Sequence, residues 1–440
     1  MEMHMDITGI AKHAKNASRH LAAVPGEQKN LALKAIIEAL ENHRDAIFSA
    51  NLRDLERSRE EGLAQPLIKR LKFQEEKLSE VITGISALIS IPDPIGQVMN
   101  ARELSEGLNL YQVRCPIGVL AMIFESRPDA AVQIASLALK SGNAVLLKGG
   151  SEARETVGIL ARIIHDAATE AGIPSGWLGT LEDREAVREI LGLDRYIDLI
   201  IPRGSNEFVQ YIMNNSSIPV MGHADGICHL YIDSQADLDM AVELAYDSKT
   251  QYVAVCNAME TLLVDRSIAS DFLPKMAERM AEKAVEIRGC NETLRILPSA
   301  KKATDDDWST EYLDYILSVK IVGGLSEAVE HINRYGSGHT DGIVTRDRRV
   351  AEVFLNSVDT ASALWNCSTR FADGYRYGLG AEVGISTHKI HARGPVGMDG
   401  LTIYQWRVLG SGQMVGEFAD GTRTFTHREI PSDGYPFGTS

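Results

Sequence analysis

What this chain lacks is the first guide to it. No run of apolar residues approaches the roughly 18 that a membrane span requires, and the opening MEMHMDITGIAKHAKN has no secretory apolar core. A cytoplasmic protein is therefore expected. The five cysteines, at 115, 228, 256, 290 and 367, are odd in number and form no CxxC pair, which fits unpaired thiols in a reducing compartment. Positive charge is scarce, since 45 Lys and Arg face 60 Asp and Glu for a net charge of −15. Nucleic acid is thereby excluded as a partner, because phosphate backbones are bound by dense basic patches. Any anionic ligand must be met by cations gathered locally. Internal repeats and low-complexity linkers are absent as well.

What is present has the composition of an ordinary globular protein, 44% hydrophobic and 24% charged. At 440 residues the chain is long enough for two or three domains. The first ninety residues read as helices: Leu33, Ile36, Ile37 and Leu40 share one helical face, as do Leu78, Val81, Ile82, Ile85 and Leu88. The turn IPDPIG at 91–96 ends that region. From Tyr111 strands and helices alternate. Ile117 to Phe124 predicts a buried strand, Pro128 the first turn of a helix running to Lys140, and Ala144 to Lys148 the next strand. A second βα unit follows, with a strand at 197–202 and a helix beginning after Gly204-Ser205. Such repetition predicts an α/β fold with a parallel sheet covered by helices, whose ligands bind at the carboxyl ends of strands. Two loops meet that rule, Lys148-Gly149-Gly150-Ser151 and Pro202-Arg203-Gly204-Ser205. Each combines glycine, a hydroxyl, a nearby cation and free helix amides into an anion site, and neither is a GxGxxG or Walker loop. The same Gly-Ser turns also serve purely for backbone reasons.

After Gly222 a second α/β region is expected, with a strand at 229–233, helices at 238–247 and 271–284, and a strand at 318–322. Between them lies QYVAVCNAMETLLV. Its apolar flanks should hold Cys256 still while Asn257 and Ala258 leave room beside it. By residue type alone such a cysteine is a small buried hydrophobe. As a nucleophile it would need its pKa of about 8.5 lowered by the fold. His223, Asp225 and His229 could in principle form a zinc cluster of N and O ligands, but His229 starts a strand, whose alternation works against three ligands meeting. No metal is expected, and His223 reads as a polar residue at the substrate entrance.

The order of strand, Lys148 loop, Gly204-Ser205 loop and Cys256 resembles the aldehyde dehydrogenase superfamily. Within it, the blocks IFESRPDAAVQIASLALKSGNAVLLKGGSEA, PRGSNEFVQYI, IPVMGHADGICHLYID, CNAMETLLV, EAVEHINRYGSGHTDGIVT and GLGAEVGISTHKIHARGPVGMDGLTIYQW are similar to the gamma-glutamyl phosphate reductase family. The resemblance covers roughly residues 5–415. It implies a Rossmann-type cofactor domain at 1–226, to which 390–440 return, a catalytic cysteine domain at 227–389, and a small oligomerisation element. It makes Cys256 the nucleophile, puts Lys148 and Ser151 at the adenosine ribose, Gly204 and Ser205 at the pyrophosphate, and Glu311 at the nicotinamide ribose. NADPH, or NADP in the reverse direction, is the cofactor implied. The implied reaction is reduction of L-glutamyl 5-phosphate to L-glutamate 5-semialdehyde and phosphate, in a homo-oligomer supplied by a glutamate 5-kinase.

Two departures from the wider superfamily bear on mechanism. Where hydrolytic members carry a glutamate that activates water, this chain reads Gly222-His223-Ala224-Asp225-Gly226. Glu125-Ser126-Arg127-Pro128 replaces the segment that supplies an oxyanion asparagine. Arg127 precedes a helix start and ranks first among the expected phosphate contacts, ahead of Arg370 and Arg393. An oxidative aldehyde dehydrogenase and a non-catalytic dinucleotide-binding protein are the alternative readings.

Overall fold

The computed structural model describes residues 6–181, 184–222, 225–379 and 382–437. They divide into two compact units, the first comprising residues 1–204, 211–220 and 397–440, the second 205–210 and 221–396. The chain thus enters the second unit for good at Met221 and leaves it after Val396, where the sequence suggested 227 and 389.

The first unit begins with five helices, α1 (Ile7–Leu21), α2 (Gly26–Asn42), α3 (Arg44–Glu60), α4 (Gln65–Leu71) and α5 (Glu75–Ser90). The predicted stripes are buried: Leu33, Ile36 and Leu40 in α2, and Leu78, Val81, Ile85 and Leu88 in α5. A hairpin that the sequence reading missed follows, β1 (Val98–Ser105) and β2 (Leu108–Pro116). Its residues are mostly half-buried and polar, so the apolar alternation that announces a strand is weak. The core of the unit is a parallel sheet of β3 (Val119–Phe124), β4 (Ala144–Lys148), β5 (Leu178–Thr180) and β6 (Leu199–Arg203) in the order β5-β4-β3-β6. All residues of β3 and β4 are buried, as expected of parallel strands covered on both faces. Helices α6 (Pro128–Lys140) and α7 (Arg154–Glu170) are the crossovers, and α8 (Arg184–Ile190) precedes β6.

A polar knot ties this sheet together at its amino end. The buried Asn143 accepts the Gly118 N–H at 2.8 Å and donates to the Leu401 carbonyl and the Ser141 hydroxyl, each at 2.8 Å. Asp198 accepts the Val119 N–H at 2.8 Å and the Lys15 ammonium at 2.6 Å. Gly118 has φ +132°, and a Cβ there would strike the Asp198 carboxylate, so only glycine fits. Through Leu401, Asn143 anchors the start of β7 (Thr402–Leu409), which pairs antiparallel with β2 along its whole length. The chain end adds the short strand Arg428–Glu429 to β1 and buries Tyr435 against Tyr111.

The second unit is a seven-stranded sheet in which all pairings are parallel. Its centre is formed by three neighbours, Met259–Asp265, Cys228–Ile232 and Thr340–Val344, called here the thiol strand, the middle strand and the histidine strand. All their residues are buried. Helices Leu238–Thr250 and Ala269–Ala281 contribute to one apolar cluster against this sheet, while Leu325–Tyr335 and Arg348–Ser357 contribute to a second. Helix α9 (Asn206–Asn215) straddles the two units in sequence.

Asn143→Ala would leave the Gly118 N–H and the Leu401 carbonyl buried without partners, at about 1–3 kcal/mol for each group. Urea unfolding should show a loss of about 2–4 kcal/mol, together with faster hydrogen exchange at Gly118. A change below about 0.5 kcal/mol would mean that the knot does not hold the sheet.

Candidate active site

Cys256 lies in the turn between the helix that ends at Thr250 and the thiol strand, and is half-buried. Its setting differs from the one expected. Gln251, Tyr252 and Ala254 are exposed, so the upstream apolar flank does not hold the thiol in place. The backbone does. Gly226 passes so close that a Cβ on it would overlap the Cys256 backbone, and the Cys228 thiol donates to the Cys256 carbonyl at 3.1 Å. Asn257 does not open space beside the thiol either. It is buried, and its Nδ2 donates to the Ala372 carbonyl at 2.8 Å, tethering the segment that carries Arg370.

The residue in contact with the Cys256 sulfur was not among those expected. His339 Nε2 stands 3.1 Å from Cys256 Sγ, and the other ring nitrogen, Nδ1, stands 2.8 Å from Thr340 Oγ1. His339 is buried. The stretch Gly338-His339-Thr340-Asp341 immediately before an apolar strand was the available signal, yet nothing in a single sequence says which strand ends face each other.

Arg370 is the arginine that this unit sets beside the thiol. The residue is 8% exposed, and its Nε donates to Gln251 Oε1 at 3.0 Å. It makes no ion pair among the described residues. Burial lowers its pKa, as does the neighbouring Arg376, while Asp373 and Cys256 act the other way. Arginine stays charged nonetheless. A buried cation without a bonded carboxylate has the chemistry to hold an anion. Arg393 is otherwise engaged, with its guanidinium 2.9 Å from Asp359 Oδ1 and 3.0 Å from the Thr387 carbonyl, so the sequence expectation that it meets phosphate is not supported by its contacts.

Glu311 is half-buried rather than solvated. Its carboxylate accepts from Asn206 Nδ2 at 3.0 Å and from the Gly226 N–H, and burial raises its pKa against those bonds. The same Asn206 amide donates to Asp225 at 2.6 Å. The loop carrying Glu311 is braced from beneath by Glu260, which accepts the Leu313 N–H at 3.4 Å and pairs with Lys249 at 2.5 Å, both side chains being fully buried. Burial pushes Glu260 up to about 7 and Lys249 down, opposing the charge on each. His229 lies apart from Asp225 in its bonding. It is buried in the middle strand with Nδ1 2.9 Å from Asp341, and among the described residues no cluster of three or more His, Cys, Asp or Glu could hold a metal. His223 lies outside the described residues.

In the first unit, Lys148 closes β4 with Nζ 2.5 Å from the Gly149 carbonyl, and Ser151 opens a single helical turn before α7. Gly149, Gly150, Ser151, Arg154, Thr180 and Leu181 line a cleft. Bare glycine backbone, a hydroxyl and the Arg154 cation suit the sugar and phosphate of a nucleotide. Gly204 and Ser205 are exposed between β6 and α9. Glu152, also missed, reaches back to accept the Ser126 N–H at 2.6 Å and its hydroxyl at 2.7 Å, fixing Ser126 at φ +45°. Arg127, exposed and without an ion pair among the described residues, is thereby held on the Lys148 side of the first unit.

Comparison with known proteins agrees with this geometry. The aldehyde dehydrogenase family model matches residues 2–308. The chain is 60% identical over 426 residues to a gamma-glutamyl phosphate reductase of Acetivibrio thermocellus, covering 97% of this chain and 99% of that one. It is 58% identical over 429 residues to that of Pelotomaculum thermopropionicum, covering 98% and 99%. The crystal structure of the gamma-glutamyl phosphate reductase from Thermotoga maritima superposes with a TM-score of 0.91 at 40% identity, over 93% of this chain and all of that one. An acetylating aldehyde dehydrogenase from Geobacillus thermoglucosidasius, at 18% identity and a TM-score of 0.61, shares the fold over 93% of this chain and 97% of that one. A thiol at the edge of one α/β unit and a glycine-lined nucleotide cleft in the other are what such a fold provides, and the chain belongs to the aldehyde dehydrogenase family, among its gamma-glutamyl phosphate reductases.

Proposed function

We propose that this protein reduces L-glutamyl 5-phosphate to L-glutamate 5-semialdehyde and inorganic phosphate, the second step from glutamate to proline, with NADPH as the reductant. The observation that carries the reading is a half-buried thiol in the electrostatic reach of a buried arginine, Arg370, that makes no ion pair among the described residues. An acyl phosphate is an electrophile with an anionic leaving group, and it needs both. The names of relatives at up to 60% identity support the same assignment.

Cys256 attacks the acyl carbon, the bond to the phosphate oxygen breaks, and a thioester remains. Arg370 holds the departing anion through charge-assisted hydrogen bonds. The dinucleotide, when bound, supplies the hydride that reduces the thioester. Lys148 and Ser151 would hold its adenosine ribose, Gly204 and Ser205 its pyrophosphate, and Glu311 its second ribose. When the carbon–sulfur bond of the reduced adduct breaks, the aldehyde leaves and the thiol is regained. Water is a poor competitor, because the loop that bears a glutamate base in hydrolytic relatives here offers Asp225, which is bonded to Asn206.

The acyl phosphate is a reactive mixed anhydride, so a carboxylate kinase, glutamate 5-kinase, is its source. The cytoplasm suits five free thiols, and among the described residues no helix is long and apolar enough to cross a membrane. A second copy of the chain is the partner proposed for the edge strand β7, whose Ile403, Tyr404, Trp406 and Val408 are exposed.

Cys256→Ala should lose turnover by at least about 10⁴-fold while binding the dinucleotide normally; turnover near the wild-type rate would overturn the reading. In the reverse direction, semialdehyde oxidation should require inorganic phosphate and prefer NADP to NAD, whereas brisk oxidation without phosphate would indicate an ordinary aldehyde dehydrogenase. Arg370→Lys should raise the KM for phosphate about tenfold and leave that for NADP within about twofold, because a point charge cannot replace the planar fork. Lys148→Ala should do the opposite, raising the KM for NADP with little effect on kcat, since a ribose contact is equally strong in ground and transition states.

A further inference from the structure

We propose that His339 is the base that turns Cys256 into a thiolate, and that Thr340 fixes the tautomer in which it can do so. This rests on the reading of Cys256 as the nucleophile. A free cysteine, with a pKa of about 8.5, is only a few per cent thiolate at pH 7, and a group placed to take its proton raises that fraction. His339 Nε2 stands 3.1 Å from the sulfur, within reach for direct transfer.

The tautomer follows from the other nitrogen. Thr340 Oγ1, 2.8 Å from Nδ1, can accept an N–H, and a proton on Nδ1 leaves Nε2 with its lone pair facing the thiol. The rival neighbour of Nδ1 is Cys228 Sγ at 3.8 Å. That thiol already donates to the Cys256 carbonyl, and burial pushes its pKa well up, with Asp341 and Cys256 adding to the effect, so it stays protonated and neutral. Asp341, one residue beyond Thr340, accepts the His229 N–H through Oδ1, the same oxygen that stands 2.9 Å from His229 Nδ1. The Thr340 hydroxyl, a neutral group, is thus a partner that orients His339. Among the other charged groups, Arg370 acts on Cys256 in the sense that favours a thiolate, while Glu260 and Glu311, which act on Cys228 at the same end of the sheet, oppose one.

The protons balance over the cycle. Transfer from Sγ to Nε2 gives a thiolate and an imidazolium. The thiolate attacks the acyl phosphate, the carbon–oxygen bond breaks, and the imidazolium proton passes to the departing phosphate, leaving a neutral ring. The thioester would then be reduced by the hydride that the dinucleotide supplies when bound. Collapse of the hemithioacetal alkoxide releases the aldehyde and the thiolate, and one proton taken from solvent restores the pair. His339 is thus a catalytic residue and Thr340 a positioning residue.

The test is the rate of iodoacetamide alkylation at Cys256, followed by peptide mass spectrometry between pH 5 and 10, in the wild type and in His339→Gln, Thr340→Val and Thr340→Ser. In the wild type the titration should lie below the free-thiol value of about 8.5. In His339→Gln, alkylation at pH 7 should fall by about tenfold or more and recover above about pH 9, with kcat down by about 10²–10⁴-fold. Thr340→Val should give an intermediate loss that Thr340→Ser restores, an outcome that a packing role for the methyl group would reverse. Should His339→Gln not fold, the Val and Ser pair decides alone: equal profiles in the two sink the proposal. A His339→Gln profile that overlays the wild type also overturns it, and if Cys256→Ala is inactive at the same time, the reductase reading survives. Turnover by Cys256→Ala would sink that reading instead.

Discussion

The second unit depends on a register. Three neighbouring parallel strands begin at one level, with Cys228 opposite Met259 and His229 opposite Asp341. The residues that precede or open them, Cys256, Cys228 and His339, are thereby brought into contact from three distant parts of the chain. A slip of one residue in either pairing would turn a reactive side chain to the other face of the sheet. Hydrophobic burial fixes that register, since every residue of the three strands is buried. The chemistry is therefore held in place by a core that takes no part in it.

Around this register the polar groups are economical. The Asn206 amide has two hydrogens and gives one to Asp225 and one to Glu311, so two carboxylates share a neutral donor and need no cation between them. The buried pair of Lys249 and Glu260 reaches the Glu311 loop by a backbone bond at Leu313, a residue in the left-handed region at φ +53° that the loop would not adopt unaided. Removing either member would strand the other charge in the core, which is far costlier than the pair is worth.

Much of the fold was legible in the sequence because buried parallel strands are long apolar runs and their helices are amphipathic. Both signals persist without knowledge of neighbours. The loops Lys148-Gly149-Gly150-Ser151 and Arg203-Gly204-Ser205 were legible for the same reason, as they close such strands. The β1 and β2 hairpin was not, since its half-buried residues carry no clean alternation. His339, Glu152 and Asn206 escaped for a different cause: each acts on a partner between 19 and 105 residues away, as Asn206 does on Asp225 and Glu311, and such pairings exist only once the chain is folded. A family-like block marks a region and not the partners of a side chain, so the bonds of Arg393 to Asp359 and to the Thr387 carbonyl were not legible.

The two units use opposite ends of their sheets. Lys148 and Arg203 close strands, whereas Cys256 and His339 precede them. The helices leading into the thiol and histidine strands therefore run toward the reaction centre with their carboxyl termini, at Thr250 and Tyr335. That polarity presents carbonyl oxygens and partial negative charge, the reverse of the amide cradle that welcomes anions elsewhere. An anionic substrate entering here meets a backbone field that does not favour it, and side chains must supply all of the attraction. Substrate affinity at this end of the molecule should accordingly track individual cationic residues, with little reserve in the main chain to make up for one that is lost.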